Sequence, residues 1–160
     1  MLVLAIDPGN VRSAYCLVDS ESMKPLNFGI FENNALLENI VYQGGYDAMA
    51  IERIQSYGML IGKEVLETCE WVGIFTEAAQ SPVGYVYRME EKSHICHSPH
   101  AGDSNIRRAL IDRFATHDKA NGKGSKKNPD FFYGFHADIW AAFAVGLTYI
   151  EKELNDGQTR

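Results

Sequence analysis

The segment LVLAIDPGN, residues 2–10, begins with an unbroken apolar run and then reaches a carboxylate at Asp7. A run without polar alternation is typical of a central strand that is covered on both faces. Pro8 favours extended backbone at Asp7, and Gly9 permits a tight reversal directly afterwards. The segment therefore predicts a buried strand with Asp7 at its C-terminal end, although Asp-Pro-Gly is also ordinary turn chemistry.

The rest of the chain predicts one α/β domain around this strand. Strands at 13–19 and 25–31 follow it closely and suggest an antiparallel meander. Later strands are predicted at 47–52 and 83–89, a short extended piece at 94–98, and helices at 57–79, 103–114 and 136–154. Because crossovers between parallel strands are right-handed, this order gives a mixed sheet with helices on its faces. We expect a single domain over 1–154 and a frayed tail over 155–160.

Composition narrows the functional classes. The 160 residues are 46% hydrophobic and 22% charged, which suits a single globular domain with a substantial core. Three widely spaced cysteines indicate reduced thiols, and no apolar stretch approaches the ~18 residues of a membrane span. We therefore expect a cytoplasmic protein without a membrane partner. The net charge of -6 argues against a polyanionic partner, unless acidic residues bind metal ions and basic residues cluster.

A second predicted strand, DAMAIE at residues 47–52, repeats the first pattern by ending in Glu52. If this strand pairs with the first in parallel, Asp7 and Glu52 lie side by side at one edge of the sheet. Two neighbouring carboxylates raise each other's pKa unless a proton or a cation lies between them. A divalent metal ion is the expected cation.

A third acid, Asp138, stands in the first turn of the last predicted helix. The helix dipole favours a carboxylate there, so a purely structural role is the alternative. With Asp7 and Glu52 it forms an oxygen-only set, which suits Mg²⁺ or Mn²⁺. Two such ions about 4 Å apart activate water and stabilise the leaving oxygen in phosphodiester hydrolysis.

Three acidic motifs give the chain a family resemblance. The segments IDPGN with Ser13 downstream, AIE before a long helix, and HADIWAAFAVG resemble, in this order, the motifs of RuvC-type Holliday junction resolvases of the ribonuclease H-like superfamily. The resemblance implies a five-stranded mixed sheet flanked by helices, with Asp7, Glu52 and Asp138 as ligands of two metal ions. It also implies a homodimer that nicks two opposed strands of a four-way DNA junction.

The chain departs from the family pattern at two places. Ser13-Ala14 stands where the family often has Thr-Gly. The family usually places an acid or a histidine three residues before the last Asp; Phe135 fills that position here, and His136 is the nearby candidate. Residues two apart on a helix face different directions. His136 can therefore join Asp138 on a metal only if it precedes the helix, and a capping or solvated histidine is the alternative.

Basic and aromatic residues are candidates for DNA contact. The aperiodic loop 117–130 leads into the helix of Asp138, so we expect its lysines beside the metal site; a flexible solvated loop is the alternative. Arg107 and Arg108 extend this patch or are merely exposed. Tyr57 stacks on an unpaired base or is an ordinary core or helix-start aromatic. The lysines of the loop are Lys119, Lys123, Lys126 and Lys127.

The segment HICHSPH, residues 94–100, contains three histidines and a cysteine close together, which are ligand types for zinc. It lacks a second ligand pair at the usual spacing. Alternation along a strand would also point Cys96 and His97 to opposite faces. We therefore expect a strand end near the DNA surface rather than a zinc site.

The surface of the helix predicted at 57–79 bears on assembly. It carries apolar residues outside its main stripe, namely Met59, Leu60, Leu66 and Phe75. Either a second copy of the chain or another helix of the same chain covers them, and the family resemblance favours the homodimer.

Other functional classes remain beside the junction resolvase. A ribonuclease H or an exonuclease of the same superfamily is the alternative, because the acids do not encode which nucleic acid is cut. A non-enzymatic DNA-binding protein is disfavoured, since repelling carboxylates at a phosphate-facing edge have no use in pure binding. A sugar-kinase-like ATPase needs two domains of this kind, and the chain is too short for that.

Overall fold

The computed structural model describes residues 1–158, so the end of the predicted tail, 159–160, lies outside the described residues. Within residues 1–158, five strands form one sheet in the order β3-β2-β1-β4-β5. The strands are β1 (Leu2–Asp7), β2 (Arg12–Asp19), β3 (Pro25–Glu32), β4 (Ala48–Arg53) and β5 (Val83–Tyr87). The first three are antiparallel, whereas β1–β4 and β4–β5 are parallel pairs. The predicted mixed sheet, with its meander and parallel crossovers, is confirmed.

In the described part of the chain, five helices flank this sheet. They are α1 (Asn33–Leu36), which continues into a π-helical turn (Leu37–Val41), α2 (Lys63–Ala78), α3 (Arg88–Cys96), α4 (Asp103–Phe114) and α5 (Ile139–Gln158). The short helical segment after β3 and helix α3 were not predicted from the sequence. No helix within residues 1–158 combines the length and the hydropathy that a membrane crossing requires.

Both faces of β1 are covered, as its unbroken apolar run predicts. Val3 and Ala5 belong to a core that contains α4 and α5, whereas Leu4 and Ile6 belong to a second core with α2 on the other face. On the α5 side, a Cβ at Gly146 would lie 2.9 Å from the Cβ of Ala5, so glycine lets the helix approach the strand closely. This packing fixes the start of α5 relative to the end of β1.

Helix α3 stands where the sequence predicted extended chain. The predicted strand 83–89 ends at Tyr87, and the prediction of an extended piece at 94–98 is wrong because most of it is helical. The Glu90 side chain accepts a hydrogen bond from the Tyr87 N–H at 2.8 Å and so caps the new helix. His97, with φ +55°, ends it in a left-handed conformation. Local capping rather than apolar periodicity defines this helix.

Two predicted helices begin later than their sequence pattern indicates. Helix α2 starts at Lys63 instead of residue 57, and Gly58, with φ +81°, lies in the loop before it. Helix α5 starts at Ile139 instead of residue 136, because Ala137 has φ +44°. Positive φ is incompatible with a right-handed helix, so each residue marks where the chain is still turning.

The lysine-bearing loop 117–130 is organised by buried carboxylate hydrogen bonds. Asp130 accepts backbone N–H groups from Thr116 at 2.8 Å, His117 at 2.9 Å and Asp118 at 2.6 Å. Burial opposes its ionisation, but these bonds outweigh it and hold the pKa of Asp130 well below its ordinary range. The loop backbone is therefore held by Asp130, while most of its residues are exposed to solvent.

We predict that Asp130→Asn destabilises the fold. A carboxyl whose folded pKa is depressed adds stability above its unfolded pKa, near 3.9, and this contribution disappears as the pH falls below that value. Thermal melting should show a lower Tm for the variant at neutral pH and a shrinking difference in strong acid. The control is Asp156→Asn, a change at an exposed position of α5. A difference between Asp130→Asn and the parent that grows in acid would contradict this account.

Candidate active site

The C-terminal ends of the parallel strands bring two acids together at one edge of the sheet. Ile6 of β1 pairs with Ile51 of β4, so Asp7 and Glu52 follow one residue later on adjacent strands. Glu52 in turn pairs with Val86 of β5. The carboxylates of Asp7 and Glu52 are within hydrogen-bonding reach of each other. This is the placement that parallel pairing predicted.

The turn after β1 is fixed by hydrogen bonds that hold Asp7 in place. The Gly9 N–H donates to Ser13 Oγ at 3.1 Å, the Ser13 hydroxyl donates to Asn33 Oδ1 at 2.6 Å, and Asn33 Nδ2 donates to the Gly9 carbonyl at 2.9 Å. A Cβ at position 9 would lie 2.2 Å from the Arg12 carbonyl oxygen, so only glycine fits this turn. The buried Ser13 and Asn33 thus close a polar ring beneath the strand end.

Asp138 reaches the same edge from the start of α5. The strained backbone of Ala137 directs the chain into the helix. The Asp138 carbonyl then accepts the N–H of Ala142 at 3.0 Å, so Asp138 opens the helix. Its side chain is exposed, and its charge acts on Asp7. All three acids predicted from the sequence therefore lie at one edge.

The electrostatic cost of this arrangement falls on Asp7. Burial, followed by the charges of Glu52, Asp138 and Glu91, raises the pKa of Asp7 to about 9. Asp7 therefore keeps its proton at neutral pH when no cation is bound. A cation that replaces this proton removes the repulsion, because it neutralises the neighbouring carboxylates directly.

A fourth acid, Glu91 of α3, was missed by the sequence analysis. Its side chain is fully buried, and its Oε2 accepts a hydrogen bond from Arg88 Nη1 at 2.9 Å. Burial, followed by the charge of Glu52, raises the pKa of Glu91 to about 9, although Arg88 opposes the shift. The available signal was the acidic pair in RMEEK directly after a strand. It was overlooked because part of that segment was assigned to the strand.

Arg88 stands between the acids and links two clefts. One cleft is lined by Arg88 together with Asp138 and Arg107. The other is lined by Arg88 together with Glu52 and Tyr57. A single guanidinium thus borders the acidic edge on both sides, and an anionic ligand entering either cleft meets a positive charge.

The acids do not form a preformed metal cage. In the part of the chain that the structure describes, no group of three or more His, Cys, Asp or Glu side chains is arranged to hold a metal ion as it stands. This agrees with the mutual repulsion among Asp7, Glu52 and Glu91. A cation would have to draw their oxygens together.

The position of His136 meets the condition that the sequence analysis set for it. His136 precedes α5, so its backbone is not helical, and its side chain is exposed. Its Nδ1 lies 3.1 Å from the Gly134 carbonyl oxygen, a contact that orients the ring. Phe135, by contrast, is 1% exposed within the aromatic core. The role of His136 as a metal ligand stays a prediction.

Tyr57 lies in the loop between β4 and α2 rather than in a helix or a core. Its side chain is 59% exposed. The Tyr57 hydroxyl donates to Gln55 Oε1 at 2.9 Å. Because the same residue borders the cleft of Glu52, its ring is accessible beside the acidic edge.

The two predicted arginines have different surroundings. The guanidinium of Arg107 lies 5.3 Å from the centre of the Trp140 ring, and it lines the cleft of Asp138. Arg108 instead bonds to the Asp112 carboxylate and to the carbonyls of Lys119 and Ala120. Arg107 therefore borders the cleft of Asp138, whereas Arg108 ties the loop to α4.

The lysines of loop 117–130 differ in burial and in their contacts. Lys119 Nζ donates to the Ala115 carbonyl at the C-terminal end of α4, whereas Asp103 and Arg107 belong to the first half of that helix. Twelve helical residues span about 18 Å. Lys123 is half-buried, whereas Lys126 and Lys127 are exposed in the turn that follows. Lys119 is therefore engaged by a carbonyl of its own chain, and its contact with DNA stays a prediction.

The HICHSPH segment is not a strand end. His94 and Cys96 belong to α3, and His97 ends that helix. The His94 ring nitrogen Nε2 lies 2.6 Å from Glu151 Oε2 on α5. This contact joins α3 to α5.

Comparison with known proteins identifies the fold. No family model and no curated protein matches the chain. The structure of RuvC from Thermus thermophilus is similar over 97% of this chain and 97% of that one, with 17% identity and a TM-score of 0.64. The same protein in complex with a Holliday junction substrate covers 97% of this chain and 96% of its own, with 15% identity and a TM-score of 0.67.

The class of fold is therefore ribonuclease H-like, with a five-stranded mixed sheet flanked by helices. Within that class the chain has the RuvC-type fold, which confirms the fold that the acidic motifs predicted.

Proposed function

We propose that the chain is a metal-dependent endonuclease that resolves four-way DNA junctions by paired, symmetric nicks. The observation that carries this proposal is the edge at which Asp7, Glu52 and Asp138 are held together, although burial and repulsion oppose the arrangement. The likeness to RuvC, one structure of which contains a Holliday junction substrate, supports branched DNA as the substrate class.

The acids are proposed to hold two Mg²⁺ or Mn²⁺ ions, with Asp7, Glu52 and Asp138 as ligands and His136 as a further one. The donor set fits such ions, because hard divalent cations prefer carboxylate oxygens. A buried oxygen of Glu91 without a partner at the same edge also fits a bound cation. When bound, ions of this kind activate water and stabilise the leaving oxygen of a phosphodiester.

Other side chains at the edge are proposed to position the DNA. Arg107 faces the cleft of Asp138, where its guanidinium can pair with phosphate oxygens. Tyr57 offers an exposed ring at the cleft of Glu52, on which an unpaired base at the junction centre can stack. Together, Arg107 and Tyr57 are proposed to hold a DNA strand over the acids, one from each cleft.

The working form is proposed to be a homodimer, because one chain has one acidic edge and junction resolution needs two symmetric cuts. Apolar surface near the start of α2 supports a second copy: Met59 is 79% exposed, Leu60 is fully exposed and Leu66 is 56% exposed. Phe75, which the sequence analysis grouped with them, is buried in the core of its own chain. The surface available for pairing is therefore the loop and the first turn of α2.

We predict preferential cleavage of a four-way junction over its linear arms, a flap and an RNA/DNA hybrid, all assayed with Mg²⁺. Asp138→Asn should abolish cleavage, because it removes a metal ligand, and should still bind the junction in EDTA. Light scattering should give the mass of two chains. A monomer that cuts the linear duplex or the hybrid as well as the junction would favour the alternative, a general ribonuclease H-like nuclease or exonuclease.

The lysine turn, residues 123–127, is proposed to contact phosphates of the junction arms. Phosphate contacts position DNA without reading its sequence, and each adds about 0.9 to the slope of log affinity against log salt. Arg108 and Lys119 are engaged within the chain, so the exposed Lys126 and Lys127 are the residues for this role. Lys123, being half-buried, is proposed as a lesser contributor.

We predict that Lys126→Gln with Lys127→Gln weakens junction binding and flattens its salt dependence by about 0.9 for each lysine that contacts a phosphate. The measurement is fluorescence anisotropy of a labelled junction in EDTA at several salt concentrations. Lys24→Gln is the matched control, since Lys24 is exposed in the β2–β3 turn at the opposite edge of the sheet. An unchanged slope in the double variant would exclude the lysine turn from the interface.

A further inference from the structure

Among the described residues, Glu91 differs from the buried Asp130 because one of its oxygens has no partner. Oε2 bonds to Arg88, whereas Oε1 is buried without a hydrogen bond to any residue that the structure describes. Asp130, the other fully buried carboxylate discussed above, is saturated with N–H donors. An unpaired buried oxygen destabilises the fold, so the position of Glu91 Oε1 is explained best by a ligand that this oxygen binds.

The location of Glu91 indicates which ligand that is. Asp7 ends β1, Glu52 lies near the end of β4, and Glu91 lies in the first turns of the helix that follows β5, which is parallel to β4. Glu91 therefore continues the row of acids across three neighbouring parallel strands. The charges of Glu52 and Glu91 act on each other, and Glu91 acts on Asp7 as well. A ligand at this place meets three carboxylates, which favours a divalent cation.

The ion pair with Arg88 does not by itself explain why Glu91 is buried at this edge. Arg88 also forms an ion pair with Asp103, which is exposed and carries no burial cost of comparable size. A buried carboxylate beside two other acids is an expensive second partner for a guanidinium. Arg88 engages only one oxygen, however, and thereby fixes the side chain with the other oxygen unoccupied.

We infer that Glu91 supplies a fourth carboxylate for the divalent metal ions at this edge, an inference that rests on the proposed nuclease function. Asp138 reaches this edge from the start of α5, and the residue three positions before it is the buried Phe135, whose side chain has no metal-binding atom. The additional carboxylate thus comes from α3 rather than from the segment before α5. Arg88 acts as a positioning residue that holds Glu91 through Oε2.

The test is Mn²⁺ binding to the whole chain without DNA, measured by isothermal titration calorimetry. Glu91→Gln keeps the size of the side chain and an oxygen that can accept the Arg88 bond, but it removes the charge. We expect Mn²⁺ affinity to fall at least about 10-fold in this variant. Glu21→Gln is the control: Glu21 is exposed in the β2–β3 turn at the opposite edge of the sheet, so this variant should bind Mn²⁺ with the affinity of the parent.

Equal Mn²⁺ affinity for Glu91→Gln and the parent would overturn the inference, as would a parent chain that binds no Mn²⁺. If Glu91→Gln does not fold, crystals of the parent grown with Mn²⁺ decide the matter through anomalous scattering. A peak about 2.1 Å from a Glu91 oxygen supports the inference, and a peak bound by Asp7 and Glu52 alone overturns it. A parent that binds Mn²⁺ through Glu91 yet cuts no junction would refute the proposed function and leave this inference standing.

Discussion

The parallel pairing of β1 with β4 is the constraint on which the acidic edge depends. It sets Asp7 beside Glu52 in a place where burial disfavours their charges. The surrounding structure maintains this pairing: the polar ring of Ser13 and Asn33 fixes the turn after β1, and close packing at Gly146 seats α5 against the strand. Holding these carboxylates together therefore lowers the stability of the fold, as is expected where a site binds cations.

The parts of the fold that follow from hydrophobic pattern could be predicted from the sequence. An apolar run that ends in an acid, found twice, predicted two parallel strands and the placement of Asp7 and Glu52. Helix α3 could not be found this way, because a side-chain cap from Glu90 starts it directly after β5 and its residues have little apolar periodicity. Glu91 was missed with it. The Glu90 cap and the Arg88–Glu91 ion pair position Glu91, and neither produces a periodic pattern in the sequence.

For the basic residues, too, position in the sequence does not reveal the contacts that each side chain makes in the fold. Sequence proximity grouped Arg107 and Arg108, yet the first lies over Trp140 beside Asp138 and the second bonds to carbonyls of the loop. No periodicity reveals the loop itself, since the N–H groups gathered by Asp130 organise it. In the proposed nuclease, bound divalent cations would offset much of the repulsion between DNA and a chain with a net charge of -6.

The most direct test of the central claim is the melting temperature of the parent and of Asp7→Asn, each in EDTA and in Mg²⁺. A carboxyl with a raised folded pKa costs stability increasingly as the pH rises from its unfolded value near 3.9 towards about 9. The account therefore predicts that Asp7→Asn melts higher than the parent in EDTA at neutral pH, and that Mg²⁺ raises the Tm of the parent much more than that of the variant. A parent that melts higher than Asp7→Asn in EDTA and does not respond to Mg²⁺ would contradict it.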